Sequence, residues 1–215
     1  MHIDHVIYAT QDLDAAVARL ESEHGLVADG GGRHTGIGTE NRIVPLGGGY
    51  LELIAVVDHA EAERSALGHQ LAERIAERRE GLMGWVVAVE DVIGHAGRTG
   101  AELSTIERSG LRARLAGVAT AMAEPALPLF IERDAGIADP GAAGDAGGIT
   151  WVELSGDAAR LRAWLGGAEL PVRITDGEPA LLGVGIGDAS CADGRIPVGA
   201  PACQPGGRRP CGQAG

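Results

Sequence analysis

The chain has 215 residues, 45% of them apolar and 22% charged, enough to bury a core in one large domain or two small ones, so a wholly disordered protein is excluded. All eighteen basic residues are arginine, which removes every mechanism that needs a lysine amine: a Schiff base, a pyridoxal phosphate anchor or a phosphate-loop lysine. Thirty acids leave a net charge of −12 with the arginines interleaved among them, so no basic surface for nucleic acid is expected.

The three cysteines, Cys191, Cys203 and Cys211, fall in the last 25 residues at spacings that match no zinc pattern. A metal in the folded region would therefore use His, Asp, Glu or Asn. No apolar run approaches the ~18 residues of a membrane span, and MHIDHVIYATQD lacks a basic region followed by an apolar stretch. The expectation is a cytoplasmic protein with no membrane and no nucleic-acid partner.

In chain order, HVIYATQD (5–12) is an apolar strand ending in an aspartate, and the same design returns as GWVVAVED (84–91) and TWVELSGD (150–157). Each aspartate precedes a helical pattern: Leu13, Val17 and Leu20 before Gly25, a weaker Val92 and Ala96 before Gly100, and Leu161, Trp164 and Leu165 before Gly166. Asp is a favoured helix N-cap and Gly supplies the left-handed exit. The first unit continues with strands expected near Leu26–Ala28, at Asn41–Pro45 and at Tyr50–Val56, the last two joined by a turn at Gly47–Gly49. Asp58–Glu80 has Ala62, Leu67, Leu71 and Ile75 at helical spacing and predicts a surface connector helix. The second unit has short strands near 101–107 and 111–116 and a last strand at 129–133. Residues 134–148 predict a flexible loop, and a third unit has strand, helix and two further strands.

The expected organisation is a pair of βαβββ modules over 1–135 (1–57 and 82–135, with the connector helix at 58–80). A partial third βαββ module follows at 149–187, then a disordered tail at 188–215. His5 and Glu52 are 47 positions apart and Gly84 and Glu132 are 48, so both units carry a glutamate on the last strand at nearly the same offset.

This tandem repeat, with HIDHVIYATQDLDAAVARLE, GGRHTGIGTENRIVPLGGGYLELIAV and LPLFIERD, resembles the glyoxalase-like domain family of the vicinal oxygen chelate superfamily. The resemblance implies an α+β fold in which the modules curl a mixed sheet into an open barrel around a cavity, with a divalent metal in many members and none in others. Residue by residue, the four metal positions of the family fall on His5, Glu52, Gly84 and Glu132. Gly84 has no ligand to give, which leaves His5, Glu52 and Glu132 for a divalent ion such as Zn, Ni, Mn or Fe. Taken alone, His5 also reads as a hydrogen-bonded core histidine and Glu132 as a strand-end acid beside Arg133.

Around this centre, GGRHTGIGTEN (31–41) offers Arg33 and Asn41 as substrate contacts and His34, like Glu132, as a proton carrier; the alternative is a structural loop whose side chains bond their own backbone. Arg112 and Arg114 alternate on one strand and would clamp a carboxylate or enolate if that side faces the cavity. Trp85 is expected in the core or as a wall of the cavity. His2, His24, His59, His69 and His95 are expected at the terminus or on helix surfaces. Two functional readings follow: a metal-dependent isomerase or lyase acting on a substrate with vicinal oxygens through a stabilised enolate, or a small-molecule binding or resistance protein that uses the same cavity without metal. The expected partner is a small-molecule ligand or substrate, with a homodimer left as an open alternative.

Overall fold

The chain runs through β1 (His2–Ala9), α1 (Leu13–His24), β2 (Gly31–His34), β3 (Thr39–Pro45) and β4 (Tyr50–Val56) in the first module. The connector follows as α2 (His59–Ala62) and α3 (Ala66–Arg78). The second module holds β5 (Gly81–Ala88), α4 (Val92–Thr99), β6 (Leu103–Arg108), β7 (Leu111–Ala116), α5 (Val118–Ala123) and β8 (Leu129–Arg133). Beyond it come β9 (Ile149–Ser155), α6 (Ala158–Trp164), β10 (Val172–Thr175), β11 (Ala180–Ile186) and β12 (Arg195–Pro197). This computed structural model describes residues 1–78, 80–108, 111–187 and 195–197.

The three aspartates open three helices. Asp12 Oδ1 accepts from the Ala15 amide at 3.0 Å, Asp91 Oδ1 from Gly94 at 2.8 Å and Asp157 Oδ1 from Ala159 at 2.8 Å. Each cap satisfies an amide that the helix leaves without a partner, worth about 1 kcal/mol. Gly25 and Gly100 close α1 and α4 in the left-handed region, at φ of 68° and 76°.

Eight strands form one sheet in the order β2-β3-β4-β1-β5-β8-β7-β6. Within each module the first and last strands are parallel (β1 with β4, β5 with β8), and β1 pairs antiparallel with β5 to join the modules at the centre. The sheet curls, and because strand side chains alternate between faces, its residues sort into a concave cavity wall and a convex core. The convex face carries Leu51, Leu53, Trp85 and Phe130, all at most 1% exposed, and packs with Val152, Leu154 and Leu181 of the third module. Burial of each such side chain stabilises by roughly 1.5–3 kcal/mol. The third module has its own sheet, β10-β9-β11-β12, and is tied to the second module where Trp164 Nε1 donates to Pro128 O at 2.8 Å.

Several elements differ from the sequence expectation. The second strand lies at Gly31–His34 instead of near Leu26–Ala28, so the glycine-rich segment is a hairpin. Gly31 pairs with Arg42, and a Cβ there would sit 2.2 Å from Asn41 O, an approach only glycine permits. The connector is two helices, and α3 buries Leu71 and Ile75 instead of lying free on the surface. α5 was not anticipated. The loop at 134–148 follows the Gly47–Gly49 turn, with the Gly47 amide bonded to Gly141 O at 2.8 Å. Within the expected disordered tail, Arg195–Pro197 pairs with β11, while the three cysteines lie outside the described residues.

Candidate functional site

A cavity of about 160 Å³ opens on the concave face under α3 and α5. Its wall is aliphatic: Ile7, Ile43, Ile54 and Ile131 come from the strands, Leu67 and Leu71 from α3, and Val118 and Met122 from α5. One end is polar, and it is built mainly by the first module. β1 supplies His5, β3 supplies Asn41, and β4 supplies Tyr50 and Glu52, on alternating positions that share the concave face.

His5 is held on both sides. Its Nδ1 is 2.6 Å from Asp4 Oδ1, and its Nε2 is 3.5 Å from Glu52 Oε2. Its ring stacks on Tyr50 with centroids 4.3 Å apart and planes 15° off parallel. Burial disfavours the imidazolium, but the bonds to Asp4 and Glu52 and the charges of both outweigh it, so the pKa of His5 is raised. For Glu52, burial acts to raise the pKa, and His5, His34 and Asn41 together pull it down to about 2. Asn41 Nδ2 donates to Glu52 Oε1, and Asn41 Oδ1 accepts from the Gly32 amide at 3.0 Å. His34 lines the cavity with its Nδ1 2.8 Å from Thr39 Oγ1.

The second module contributes Arg133, at the end of β8. Its guanidinium donates twice to Asp4, with Nη2 to Oδ1 at 2.7 Å, and reaches Tyr50 Oη at 3.2 Å. Burial again opposes both charges, yet the pair holds Asp4 well below the usual carboxylate range and Arg133 above its ordinary value. Asp4 is 2% exposed and sits where the β1–β5 register shifts between Ile3 and His5. That irregularity lets adjacent Asp4 and His5 reach the same cluster, which strict alternation would forbid. The result is two carboxylates, Asp4 and Glu52, bridged by the His5 imidazole, with the Arg133 guanidinium paired to Asp4.

The sequence-predicted residues divide sharply. His5, Glu52, Asn41 and His34 come together at the cavity. Glu132 does not join them: it faces the convex side, where Oε2 accepts from the Val92 amide at 2.9 Å and Oε1 from Arg114. The expected convergence of His5, Glu52 and Glu132 is therefore corrected, because Ile131 and Arg133 occupy the concave phase of β8. Glu132 serves as an acceptor at the start of α4. Arg114 is turned outward with it, since Ala113 and Leu115 take the concave side. Arg112 keeps its backbone place opposite Glu107, and its side chain lies outside the described residues.

Trp85, expected in the core or at the cavity, is in the convex core at 1% exposure with Nε1 donating to Ala126 O at 3.3 Å. Arg33 is about half exposed and pairs with Asp58 and Glu61, pinning the β2–β3 hairpin to α2; it is His34, Ile37, Thr39, Asn41 and Ile43 of that hairpin that line the cavity. His95, expected on a helix surface, is buried against Phe130 with Nε2 3.1 Å from Trp164 O, and burial lowers its pKa. Asp4 and Arg133 were missed. The available signals were an acid adjoining His5 in an otherwise apolar strand and an arginine two positions beyond Ile131.

A profile of the glyoxalase-like domain family matches residues 3–169. The chain belongs to that family. Among solved structures, a hypothetical protein from Staphylococcus aureus superposes on this glyoxalase-like domain protein with a TM-score of 0.64 at 14% identity, covering 90% of this chain and 97% of the other. A methylmalonyl-CoA epimerase from Mycobacterium tuberculosis gives 0.48 at 18% identity, covering 61% and 86% of the two chains. The Streptomyces coelicolor enzyme, bound to 2-nitronate-propionyl-CoA, gives 0.49 at 19%, covering 64% and 99%. Among curated proteins, none matches the chain. The shared fold is that of the vicinal oxygen chelate superfamily, and no helix among the described residues is long and apolar enough to cross a membrane.

The side chains at the centre of this glyoxalase-like domain do not fit a divalent metal ion. A ligating imidazole must offer a lone pair, and a site needs three or more converging donors. Here His5 and Glu52 are the two members of the expected set that face the cavity, while Gly84 has no side-chain donor, Glu132 points away, and the Arg133 guanidinium stands at the cavity end. Among the described residues, no group of three or more His, Cys, Asp or Glu side chains is placed to hold a metal.

Proposed function

We propose that this glyoxalase-like domain is a metal-independent site for a small molecule, which seats an apolar body against the aliphatic wall and a polar end at Glu52. The observation that carries the reading is the exchange of the second module's contribution. A glycine and a guanidinium stand where the family resemblance places metal ligands or their neighbours, and that guanidinium is paired with Asp4 beside His5 and Glu52. An apolar pocket with a few fixed polar groups is the usual architecture of a ligand site.

Thermal melting of the full chain with and without a chelator tests this. A panel of small alcohols, ketones and amines should stabilise the chelator-treated protein as much as the untreated one, since a ligand that binds only the folded state raises its melting temperature. Stabilisation that disappears with chelator and returns with zinc or manganese would contradict it.

A second reading, proton transfer at Glu52, is favoured by the chain Asp4–His5–Glu52, in which the imidazole connects a fully buried carboxylate to one that reaches the cavity. His5, His34 and Asn41 lower the pKa of Glu52, which makes it a weaker base than a free carboxylate. Exchange of a ligand's carbon-bound hydrogen with deuterium, abolished in Glu52→Gln, would establish the second reading over the first.

A further inference from the structure

Accepting the metal-independent cavity, we infer that its ligand is a compact aliphatic molecule whose polar end donates hydrogen bonds, with an alkyl ammonium favoured over an alcohol and an alkyl carboxylate disfavoured. The inference deepens the proposed function and rests on three observations.

The first is the wall. Tyr50 is the one aromatic residue that lines the cavity among the described residues, and its ring face is occupied by His5. The remaining apolar lining is isoleucine, leucine, valine, methionine and Pro140, a surface that packs flexible or branched hydrocarbon and offers no face for aromatic stacking. A volume of about 160 Å³ is close to that of an engineered apolar cavity of ~150 Å³ that takes a benzene-sized molecule, so the body is about six carbons.

The second is the use of the cations. Arg133 is committed to Asp4 through two bonds and to Tyr50 through a third, and His5 sits between Asp4 and Glu52. An incoming anion would have to break one of these pairs, leaving a buried charge without its partner.

The third is the use of the anions. Asp4 is fully engaged and 2% exposed. Glu52 is the carboxylate that reaches the cavity: Oε1 accepts one bond from Asn41, Oε2 faces His5 Nε2 at 3.5 Å, and His34 also bears on it. A carboxylate has about four acceptor sites, so capacity remains for a ligand donor, and a bond from a charged donor is about twice as strong as one from a neutral donor.

The test compares hexylamine, hexanol and hexanoate by calorimetry on the full chain at neutral pH, with Glu52→Gln as the variant. Hexylamine should bind about tenfold more tightly than hexanol, the value of one charge-assisted bond, and hexanoate more weakly than either. Glu52→Gln should erase the preference for the amine, bringing the affinities of hexylamine and hexanol to within about twofold of each other. The ratio in the unaltered protein decides the question even if the variant is unstable. Hexanoate binding as well as hexylamine, or an amine preference kept in a folded Glu52→Gln, overturns the ligand class while leaving the cavity reading intact. Failure of all three to bind overturns the cavity reading, and the ligand class with it.

Discussion

On β4 the residues Tyr50, Glu52 and Ile54 face the cavity and Leu51 and Leu53 face the core, whereas on β8 it is Leu129, Ile131 and Arg133 that face the cavity and Phe130 and Glu132 that turn away. The two strands occupy the same place in their modules, each parallel to the module's first strand. Their glutamates nevertheless end on opposite faces, because side chains alternate with a period of two and a shift of one residue exchanges every face. One glutamate became the polar end of a cavity and the other an acceptor at the start of a helix. A repeated motif thus fixes where a strand runs but leaves the side chain's destination to register.

The comparison can be broken most strongly at Asp4, which holds the cavity cluster together. Asp4→Asn should cost about 3–5 kcal/mol in denaturant unfolding, because Arg133 and His5 lose a shared buried partner. A loss below about 1 kcal/mol would mean that the cluster is open to water. Glu132→Gln should cost less, about 1–2 kcal/mol, through a weaker bond to the Val92 amide and to Arg114, with ligand affinity unchanged. Glu52→Gln should do the reverse, altering ligand preference by more than stability. If calorimetry found that Glu132→Gln weakens ligand binding, the assignment of faces would be wrong.

The pH dependence sharpens the same contrast. The folded pKa of His5 is raised, so the stability it contributes is complete below its unfolded value near 6.5 and is lost as pH rises through the folded value. Asp4 and Glu52 are lowered from 3.8 and 4.5, so their contribution is present above those values and lost as pH falls, for Glu52 toward about 2. Unfolding free energy measured across pH should therefore fall on both sides of a plateau between about pH 5 and 6.5. In His5→Gln the alkaline fall should shrink, and an identical profile would show that His5 is not charged in the fold. The smallest effect is expected for Arg114→Ala, below about 1 kcal/mol, because its ion pair with Glu132 is half exposed.

Much of the architecture was legible in local signals. Asp12, Asp91 and Asp157 marked helix starts because capping is decided within three residues, and the matched strands exposed the module pair. Glu52 was legible because Leu51 and Leu53 flank it in a strand with a clear apolar phase. Glu132 was not: in LFIER both phases carry apolar residues, Phe130 with Glu132 and Ile131 with Arg133, so pattern alone cannot choose the face. Asp4 was hidden by the shift in register at β1, a backbone irregularity with no residue signature of its own. Leu26–Ala28 read as a strand on apolar content, yet the pairing went to Gly31–His34, where the missing side chains allow close approach.

The central proposal is that Asp4, His5, Glu52 and Arg133, paired with one another, stand in place of a metal centre. Metal content of the untagged full chain, equilibrated with zinc or manganese and exchanged into metal-free buffer, tests it most directly. The prediction is less than about a tenth of an equivalent of either ion, unchanged in His5→Ala. About one equivalent, lost in both His5→Ala and Glu52→Ala, would contradict it.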